Sequence, residues 1–229
     1  MALSENTRLR YLHAMGITVW QPRAAQQSPA QEEIPIAPPT TAISWDTLRN
    51  QVTQCEQCTL CTTRTQTVFG EGNPHAKWFF IGEAPGQDED LQGRPFVGEA
   101  GKLLTEMLRA MQLTREEVFI ANILKCRPPR NRDPHEEEIH ACRAYLFAQI
   151  ALVNPQMIVA VGRISAQTLL NTQQTIGKLR GQVHSFQEKP LIAIYHPAYL
   201  LRAPIEKRKA WQDLQFALQA FDQLKSNLQ

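Results

Sequence analysis

Short apolar runs alternate along most of the chain with longer segments whose apolar residues recur at helical spacing. Four continuous apolar runs predict buried strands at residues 77–82, 118–121, 157–161 and 191–195. Helical spacing predicts helices at residues 99–111, 135–152, 164–171 and 206–225. Because the strands alternate with helices, we expect an α/β fold with three α/β/α layers and a mainly parallel central sheet.

The N-terminal part has a different pattern. Residues 4–20 have the spacing of a short amphipathic helix, with Leu9, Leu12 and Met15 on one face. Prolines, glutamines and small residues follow, which is typical of a flexible linker. We therefore expect three parts, which are a partner-binding segment at 1–23, a linker at 24–44 and a compact domain at 45–229.

Polar residues stand where three of the predicted strands end. The segment Gly82-Glu-Ala-Pro-Gly86 ends the first strand, Asn122 ends the second, and His196 follows the fourth. Ligands of parallel α/β sheets bind beyond the carboxyl ends of the strands. The sequence therefore predicts a binding site where these three loops meet.

Composition and charge add little by themselves. Hydrophobic residues make up 43% and charged residues 20% of the 229 positions, and the net charge is +2. Two locally basic stretches, at 125–132 and 202–209, suit contacts with nucleic-acid phosphates, although solvated surface is the ordinary alternative. No apolar run approaches the ~20 residues of a membrane span, and the N-terminus lacks a signal-type apolar core. We expect a cytoplasmic protein without a membrane partner.

Five cysteines form an uneven pattern. Cys55, Cys58 and Cys61 follow one another at intervals of three, and Cys126 and Cys142 lie far downstream. In a reducing compartment such cysteines favour metal binding over disulfides. A C-x2-C pair serves both zinc and iron–sulfur centres, but a zinc ribbon normally has a second pair, so we favour a cluster. The spacing does not show which cysteine is spare.

Six ordered motifs between residues 45 and 225 make the chain recognisable. They are Cys55-x2-Cys58, Phe69-Gly-Glu-Gly72, Gly82-Glu-Ala-Pro-Gly86, Gly93-Arg-Pro-Phe-Val-Gly98, Asn122-x3-Cys126-Arg-Pro-Pro129 and His196-Pro-Ala-Tyr-Leu-Leu-Arg202. Together they resemble the family 4 uracil-DNA glycosylases, an iron–sulfur branch of bacteria and archaea. The resemblance implies hydrolysis of the N-glycosidic bond of uracil in DNA, which releases uracil and leaves an abasic site for base excision repair.

The resemblance also implies a [4Fe–4S] cluster. Its ligands would be Cys55, Cys58, Cys126 and Cys142, which leaves Cys61 as the spare thiol. We expect the cluster to be a structural staple, because the resemblance suggests no redox substrate.

A second implication is a pocket that reads a uracil flipped out of the base stack. Its uracil-binding residues would be Gly82, Glu83, Ala84, Phe96, Asn122 and His196. The Asn122 amide can accept from uracil N3–H and donate to O4, a pattern that cytosine reverses. Phe96 would stack on the base, and His196 would donate to O2 as charge develops there. The ordinary alternatives are a turn-capping asparagine, a core phenylalanine and a turn histidine.

The carboxylate that positions water is harder to assign. Related branches have an aspartate two residues after the first glycine of this motif, where this chain has Ala84. We favour Glu89 as the catalytic carboxylate and place Glu83 second, although acidic loop residues are often only solvated.

DNA contacts should surround the pocket. Leu200 or Leu201 would fill the gap left by the flipped nucleotide. Arg202, Lys125 and Arg127 would contact phosphates.

Residues 11–23 have their own resemblance, to the N-terminal segment of the psi subunit of bacterial DNA polymerase III. It implies attachment to the clamp-loader complex, and the alternative is an extension that docks on its own domain.

Two other functions compete with the enzyme. They are a uracil-DNA binding or adaptor protein without turnover, and a zinc-dependent nucleic-acid-binding module. A related branch traps uracil-containing DNA covalently through an inserted basic loop that bears a histidine. No such insertion follows residues 125–132 in this sequence, which favours an enzyme that turns over.

Overall fold

The computed structural model describes Ala14 and residues 43–226. The chain forms two compact units, Met1–Thr41 and Ala42–Gln229. Apart from Ala14, the predicted N-terminal segment lies outside the described residues, as does most of the predicted linker. Within the described part, no helix is both long and apolar enough to cross a membrane.

A single sheet organises the second unit. Its strands are β1 (Glu71–Gly72), β2 (Trp78–Gly82), β3 (Phe119–Asn122), β4 (Met157–Val161), β5 (Val183–Phe186) and β6 (Lys189–Ile194). They lie in the order β1-β3-β2-β4-β6-β5. The four central strands are parallel, and both edge strands pair antiparallel with their neighbours. The expected mainly parallel sheet is therefore confirmed.

Helices cover both faces of this sheet. They are α1 (Trp45–Thr53), α2 (Gln87–Gln92), α3 (Glu99–Ala110), α4 (Glu136–Val153), α5 (Arg163–Leu170), α6 (Ile176–Leu179), α7 (Pro197–Arg202) and α8 (Lys207–Ser226). Short 3-10 turns occupy Thr59–Thr62, Pro129–Asn131 and Pro204–Glu206. Helix α1 begins after Ser44, whose hydroxyl oxygen accepts from the Thr47 backbone N–H at 3.2 Å.

Two apolar cores form because successive strand residues point to opposite faces. Along β2, Phe79 and Ile81 pack in one core, with residues of α1, α4 and α5. Trp78 and Phe80 pack in the other, with residues of α3 and α8. Every residue of β2 is buried, which explains its unbroken apolar run. The three-layer α/β/α prediction is confirmed.

The structure adds elements that the pattern did not predict. Strand β5 joins β6 through a two-residue turn in which Gln187 and Glu188 have φ angles of 48° and 64°. Such hairpin turns usually contain glycine or asparagine, so this pair gave no turn signal. Helix α2 lies in the acidic stretch after Gly86, which resembles a solvated loop in the sequence.

Candidate active site

The loops after β2, β3 and β6 meet at one edge of the sheet. Gly82 is paired in register with Asn122, and the next loop residues continue the contact, with Leu124 N–H donating to the Glu83 carbonyl at 3.0 Å. A cavity of about 740 Å³ opens there. Its lining includes five of the six predicted uracil-binding residues, which are Glu83, Ala84, Phe96, Asn122 and His196.

The sixth, Gly82, acts by leaving space. A Cβ atom at this position would lie 2.3 Å from Asn122 Oδ1 and 2.5 Å from Phe96 Cζ. Neither distance is compatible with an added side chain, so glycine allows the asparagine and the phenylalanine to approach the strand end together.

Asn122 carries an unsatisfied polar atom. The residue is only 2% exposed, and its Oδ1 has no hydrogen-bond partner in the described part of the chain. Buried polar atoms are nearly always paired, and leaving one unpaired costs about 1–3 kcal/mol. This oxygen is therefore available to a ligand that donates a hydrogen bond inside the cavity.

His196 is held as a neutral hydrogen-bond donor. Its Nδ1 accepts from the Ala198 backbone N–H at 3.1 Å, at the start of α7, so the ring proton lies on Nε2. Burial, helped by the nearby Arg202, lowers the pKa of His196 to about 4. The ring lies beside Phe96, with centroids 5.8 Å apart and planes inclined by 31°.

Phe96 has a backbone conformation that its neighbours impose. Its φ of 53° is unfavourable for a side chain of this size. Arg115 donates to the carbonyls of Phe96 and Pro95 at 3.1 and 2.7 Å and also pairs with Glu71. On the other side, a Cβ at Gly101 would lie 1.8 Å from the Phe96 carbonyl oxygen. The aromatic ring is thus fixed through its main chain.

Glu89 lines the cavity but is engaged with the backbone. Its carboxylate accepts from the N–H groups of Gly86, Val97 and Gly98 at 2.9–3.0 Å. These bonds join the start of α2 to the loop that carries Phe96. Glu89 therefore fixes the loop. Because its carboxylate is already engaged with three backbone N–H groups, the case for Glu89 as the water-positioning carboxylate is weaker.

Glu83 is a partly buried carboxyl group at the cavity. It lines the cavity directly after β2. Burial and the charge of Asp133 raise the pKa of Glu83 to about 7, although Arg163 partly opposes the shift. Asp133 and Arg163 form an ion pair at 2.8 Å beside it. Of the two predicted carboxylates, Glu83 is now the stronger candidate.

Two of the residues predicted to contact DNA are buried. Lys125 is 1% exposed, and its Nζ donates to the Asn122 carbonyl and to Gln149 Oε1, both at 2.7 Å, so it does not reach the surface. Leu200 is also 1% exposed, because α7 turns it into the core, whereas Leu201 is 43% exposed.

The remaining predicted DNA contacts are accessible. Arg202 is exposed at the end of α7 and lines the cavity. Arg127 is partly exposed, and its Nε donates to Asn131 Oδ1 at 2.7 Å. Their contact with DNA remains a prediction.

The four implied cluster ligands come from three separate elements but share one core. Cys126 and Cys142 are buried in it, and Cys55 and Cys58 pack against it. Cys61 is partly buried and is not part of this packed group. All five are free thiols.

Arg64 adds a positive charge next to these sulfur atoms, since its Nη1 donates to Cys126 Sγ at 3.1 Å. Within the described ranges, no three His, Cys, Asp or Glu side chains are arranged to hold one metal ion. A four-iron cluster does not require such a group, because it distributes four cysteines over its iron atoms.

Sequence reasoning missed several residues that line the cavity. Tyr195 and Tyr199 flank the predicted histidine, and their rings lie 5.2 Å apart. Arg163 begins α5 directly after β4. Ligands bind beyond the carboxyl ends of parallel strands, and the end of β4 places Arg163 at the same sheet edge.

This fold and cavity define an α/β protein with a pocket of polar and aromatic side chains at the ends of its parallel strands. A family model described as "Uracil DNA glycosylase superfamily" matches residues 69–215. The chain belongs to this superfamily and, by its similarity to the type-4 proteins, to their branch within it.

Three relatives give the extent of the likeness. The type-4 uracil-DNA glycosylase of Archaeoglobus fulgidus is 47% identical over 169 residues, which cover 70% of this chain and 85% of the relative. That of Sulfurisphaera tokodaii is 46% identical over 170 residues, covering 70% and 77%. The type-5 uracil-DNA glycosylase of Thermus thermophilus is 30% identical over 153 residues, covering 56% and 68%.

Proposed function

We propose that this protein removes uracil from DNA by hydrolysing its N-glycosidic bond, which releases free uracil and leaves an abasic site. The observation that carries the proposal is the unpaired, buried Oδ1 of Asn122 in the cavity. Uracil N3–H supplies the missing donor. Cytosine has an acceptor at N3, so two acceptors would face each other without solvent, and the pocket would reject it.

His196 would assist departure of the base. Cleavage passes through an oxocarbenium-like sugar, and uracil leaves with negative charge on O2. A neutral imidazole that carries its proton on Nε2 can donate to this oxygen without losing the proton. Donors fixed toward developing charge commonly contribute ~3 kcal/mol or more to transition-state stabilisation.

Glu83 would position the attacking water and offset positive charge on the sugar, a role that requires its ionised form. Glu89 would act indirectly, by holding the loop that carries Phe96, which stacks on the base. Around the cavity, Leu201 would replace the flipped nucleotide in the stack, and Arg202 and Arg127 would contact phosphates.

A [4Fe–4S] cluster is the cofactor that the cysteines suit. Cys55, Cys58, Cys126 and Cys142 contact one apolar core and none is in a disulfide, which fits a group bound by four thiolates. Bound there, the cluster would staple the segment after α1 to α4 and to the loop after β3. Free cysteines also suit a reducing compartment such as the cytoplasm.

Residues 1–23 would bind the clamp-loader complex of bacterial DNA polymerase III. The support is the resemblance to the psi subunit, the amphipathic spacing of the segment and the proline-rich stretch that follows it. Its anchors would be Tyr11, Leu12, Met15, Ile17 and Trp20.

Release of free uracil from a uracil-containing oligonucleotide tests the main proposal. The wild-type chain should release uracil, and Asn122→Asp should slow the single-turnover rate, because a carboxyl group changes the donor–acceptor pattern. Asn171→Asp, at an exposed asparagine after α5, should keep the wild-type rate. Tight binding of uracil-containing DNA without any release would favour the adaptor function instead.

A further inference from the structure

A buried lysine lies directly behind the residue that reads the base. Charged side chains are rarely buried without partners, and Lys125 has two. Its Nζ donates to the main-chain oxygen of Asn122 and to Oε1 of Gln149, each at 2.7 Å. The lysine therefore joins the loop that follows β3 to helix α4.

The second partner is itself fixed. Gln149 is 0% exposed, and its Nε2 donates to the Phe69 carbonyl at 2.7 Å. It lies seven residues after Cys142 on α4, which places both residues on the same helix face. The helix that carries one proposed cluster ligand thus also carries the acceptor for Lys125.

The loop from Asn122 to Cys126 is consequently held from two directions. On the sheet side, the N–H groups of Ile123 and Leu124 donate to the carbonyls of Gly82 and Glu83, both at 3.0 Å. On the helix side, Lys125 Nζ donates to the Asn122 carbonyl. An amine donates two hydrogen bonds with or without its third proton, so this contact does not depend on its charge.

We propose that Lys125 and Gln149 form a positioning pair that sets the orientation of Asn122 and thereby the discrimination between uracil and cytosine. The proposal rests on the proposed function of Asn122 as the base reader. Neither residue of the pair touches the base. They act through the peptide group that carries the reading amide.

Lys125→Met in the full-length chain tests the pair, because it removes both donors and keeps the length of the side chain. Leaving the two acceptors unpaired should lower single-turnover uracil release by about tenfold and narrow the preference for uracil over cytosine. Affinity for DNA without uracil and its salt dependence should stay at wild-type values. The visible absorbance of the cluster, measured on the same sample, separates this effect from loss of the cofactor.

Lys189→Met is the matched control. Lys189 also donates to an amide oxygen and a loop carbonyl, those of Asn154 and Pro155, but at the opposite end of the strands. It should keep both the rate and the base preference.

Three results would overturn the proposal. The first is full uracil release by Lys125→Met together with a salt slope reduced by about one, which would make the lysine a phosphate contact. The second is a reduced rate with unchanged base preference, which would make the pair merely structural. If Lys125→Met does not fold, Gln149→Leu is tested in its place. An unchanged preference for uracil over cytosine in Gln149→Leu is the third result that would overturn the proposal.

Failure of the proposed function gives a different result. In that case the wild-type chain itself releases no uracil. The ratio of the affinities for uracil-containing and cytosine-containing DNA is then measured instead. Lys125→Met should still reduce this ratio.

Discussion

Burial shifts two ionisable groups of the cavity in opposite directions. It favours the uncharged form of each, so the pKa of His196 falls to about 4 while that of Glu83 rises to about 7. The imidazole is therefore neutral throughout the physiological range, whereas the carboxyl group changes its charge within it. The cavity thus pairs a neutral hydrogen-bond donor with a carboxyl group whose charge depends on pH.

This difference predicts the pH dependence of catalysis. Single-turnover uracil release should rise with pH to a plateau, with a midpoint near the Glu83 pKa of about 7, because only the ionised carboxylate positions water. Glu83→Gln should lower the rate and remove this dependence. Asp133→Asn should move the midpoint to lower pH, because the Asp133 charge helps to raise the pKa. A Glu83→Gln enzyme that retains the wild-type profile would assign the titration to another group.

The same shift affects stability with a definite sign. Glu83 binds its proton more tightly in the folded chain than in the unfolded chain. Its contribution to the free energy of unfolding is therefore fully present below the usual carboxyl pKa and is lost as the pH rises toward about 7. In its proposed role, the group would support activity at pH values where it no longer stabilises the fold.

Among the elements, the segment between α2 and α3 depends on contacts with its main chain. Glu89 holds it from α2, and Arg115 holds the Phe96 carbonyl from the side of β3. The start of α3 approaches so closely that only glycine fits at position 101. The orientation of the aromatic ring is therefore a property of the helix packing as much as of the loop sequence.

Replacing Gly101 by alanine should displace this segment. The new Cβ would lie 1.8 Å from the Phe96 carbonyl oxygen, so the helix or the loop must move. We expect the free energy of unfolding to fall by about 1–3 kcal/mol, as measured by denaturant titration, and uracil release to slow.

Gly177→Ala is the matched control for that substitution. Nothing lies within 4 Å of its added Cβ, and Gly177 is in α6. This change should raise stability by about 0.4–1 kcal/mol and leave uracil release unchanged. Equal effects of the two substitutions would mean that the Gly101 contact is not specific.

Elements with a strong local pattern were predictable from the sequence. The four central strands are continuous apolar runs because helices cover both sides of the sheet. Asn122 and His196 were recognised from their places after strands and from the family motifs. The edge strand β5 was not predictable from the sequence, because Gln187 and Glu188 are unusual residues for a hairpin turn.

The sequence pattern could not predict which polar side chains are buried. Lys125 stands beside basic surface residues in the sequence, and only the packing of α4 shows that Gln149 meets it in the core. The roles of Glu83 and Glu89 likewise depended on hydrogen bonds, since both are acidic residues in one short segment.

At the scale of the whole molecule, the four proposed cluster ligands come from distant parts of the chain. Cys55 and Cys58 lie after α1, Cys126 follows β3, and Cys142 is in α4. A group that binds all four would stabilise the native chain, because the four side chains come together only when the protein is folded.

The cysteine variants should therefore differ sharply. The purified protein should contain about four iron atoms. Cys126→Ser should lose iron and stability, because this ligand is buried, whereas Cys61→Ser should keep both. Iron analysis and thermal unfolding measure the two effects. Loss of iron in Cys61→Ser with retention in Cys55→Ser would reverse the ligand assignment.

Deleting residues 1–23 tests the proposed recruitment. Uracil release from short oligonucleotides should be unchanged, while binding to the clamp-loader complex in a pull-down should be lost. In the full chain, Trp20→Ala should weaken that binding strongly, because aromatic anchors often dominate such contacts. Trp211→Ala, at an exposed tryptophan of α8, should leave it unchanged. Absence of binding by the intact chain at micromolar concentrations, or destabilisation by the deletion, would indicate an intramolecular brace.

The strand order also determines when the enzyme acquires its activity during synthesis. Strand β6 pairs with β4 near the middle of the sheet, yet it comes last along the chain among the described strands, and His196 follows it. A ribosome-bound chain that has exposed Glu83 and Asn122 still lacks this strand and the donor for the leaving base. We therefore expect truncated products that end before β6 to release no uracil, because they lack His196 and the strand that pairs with β4.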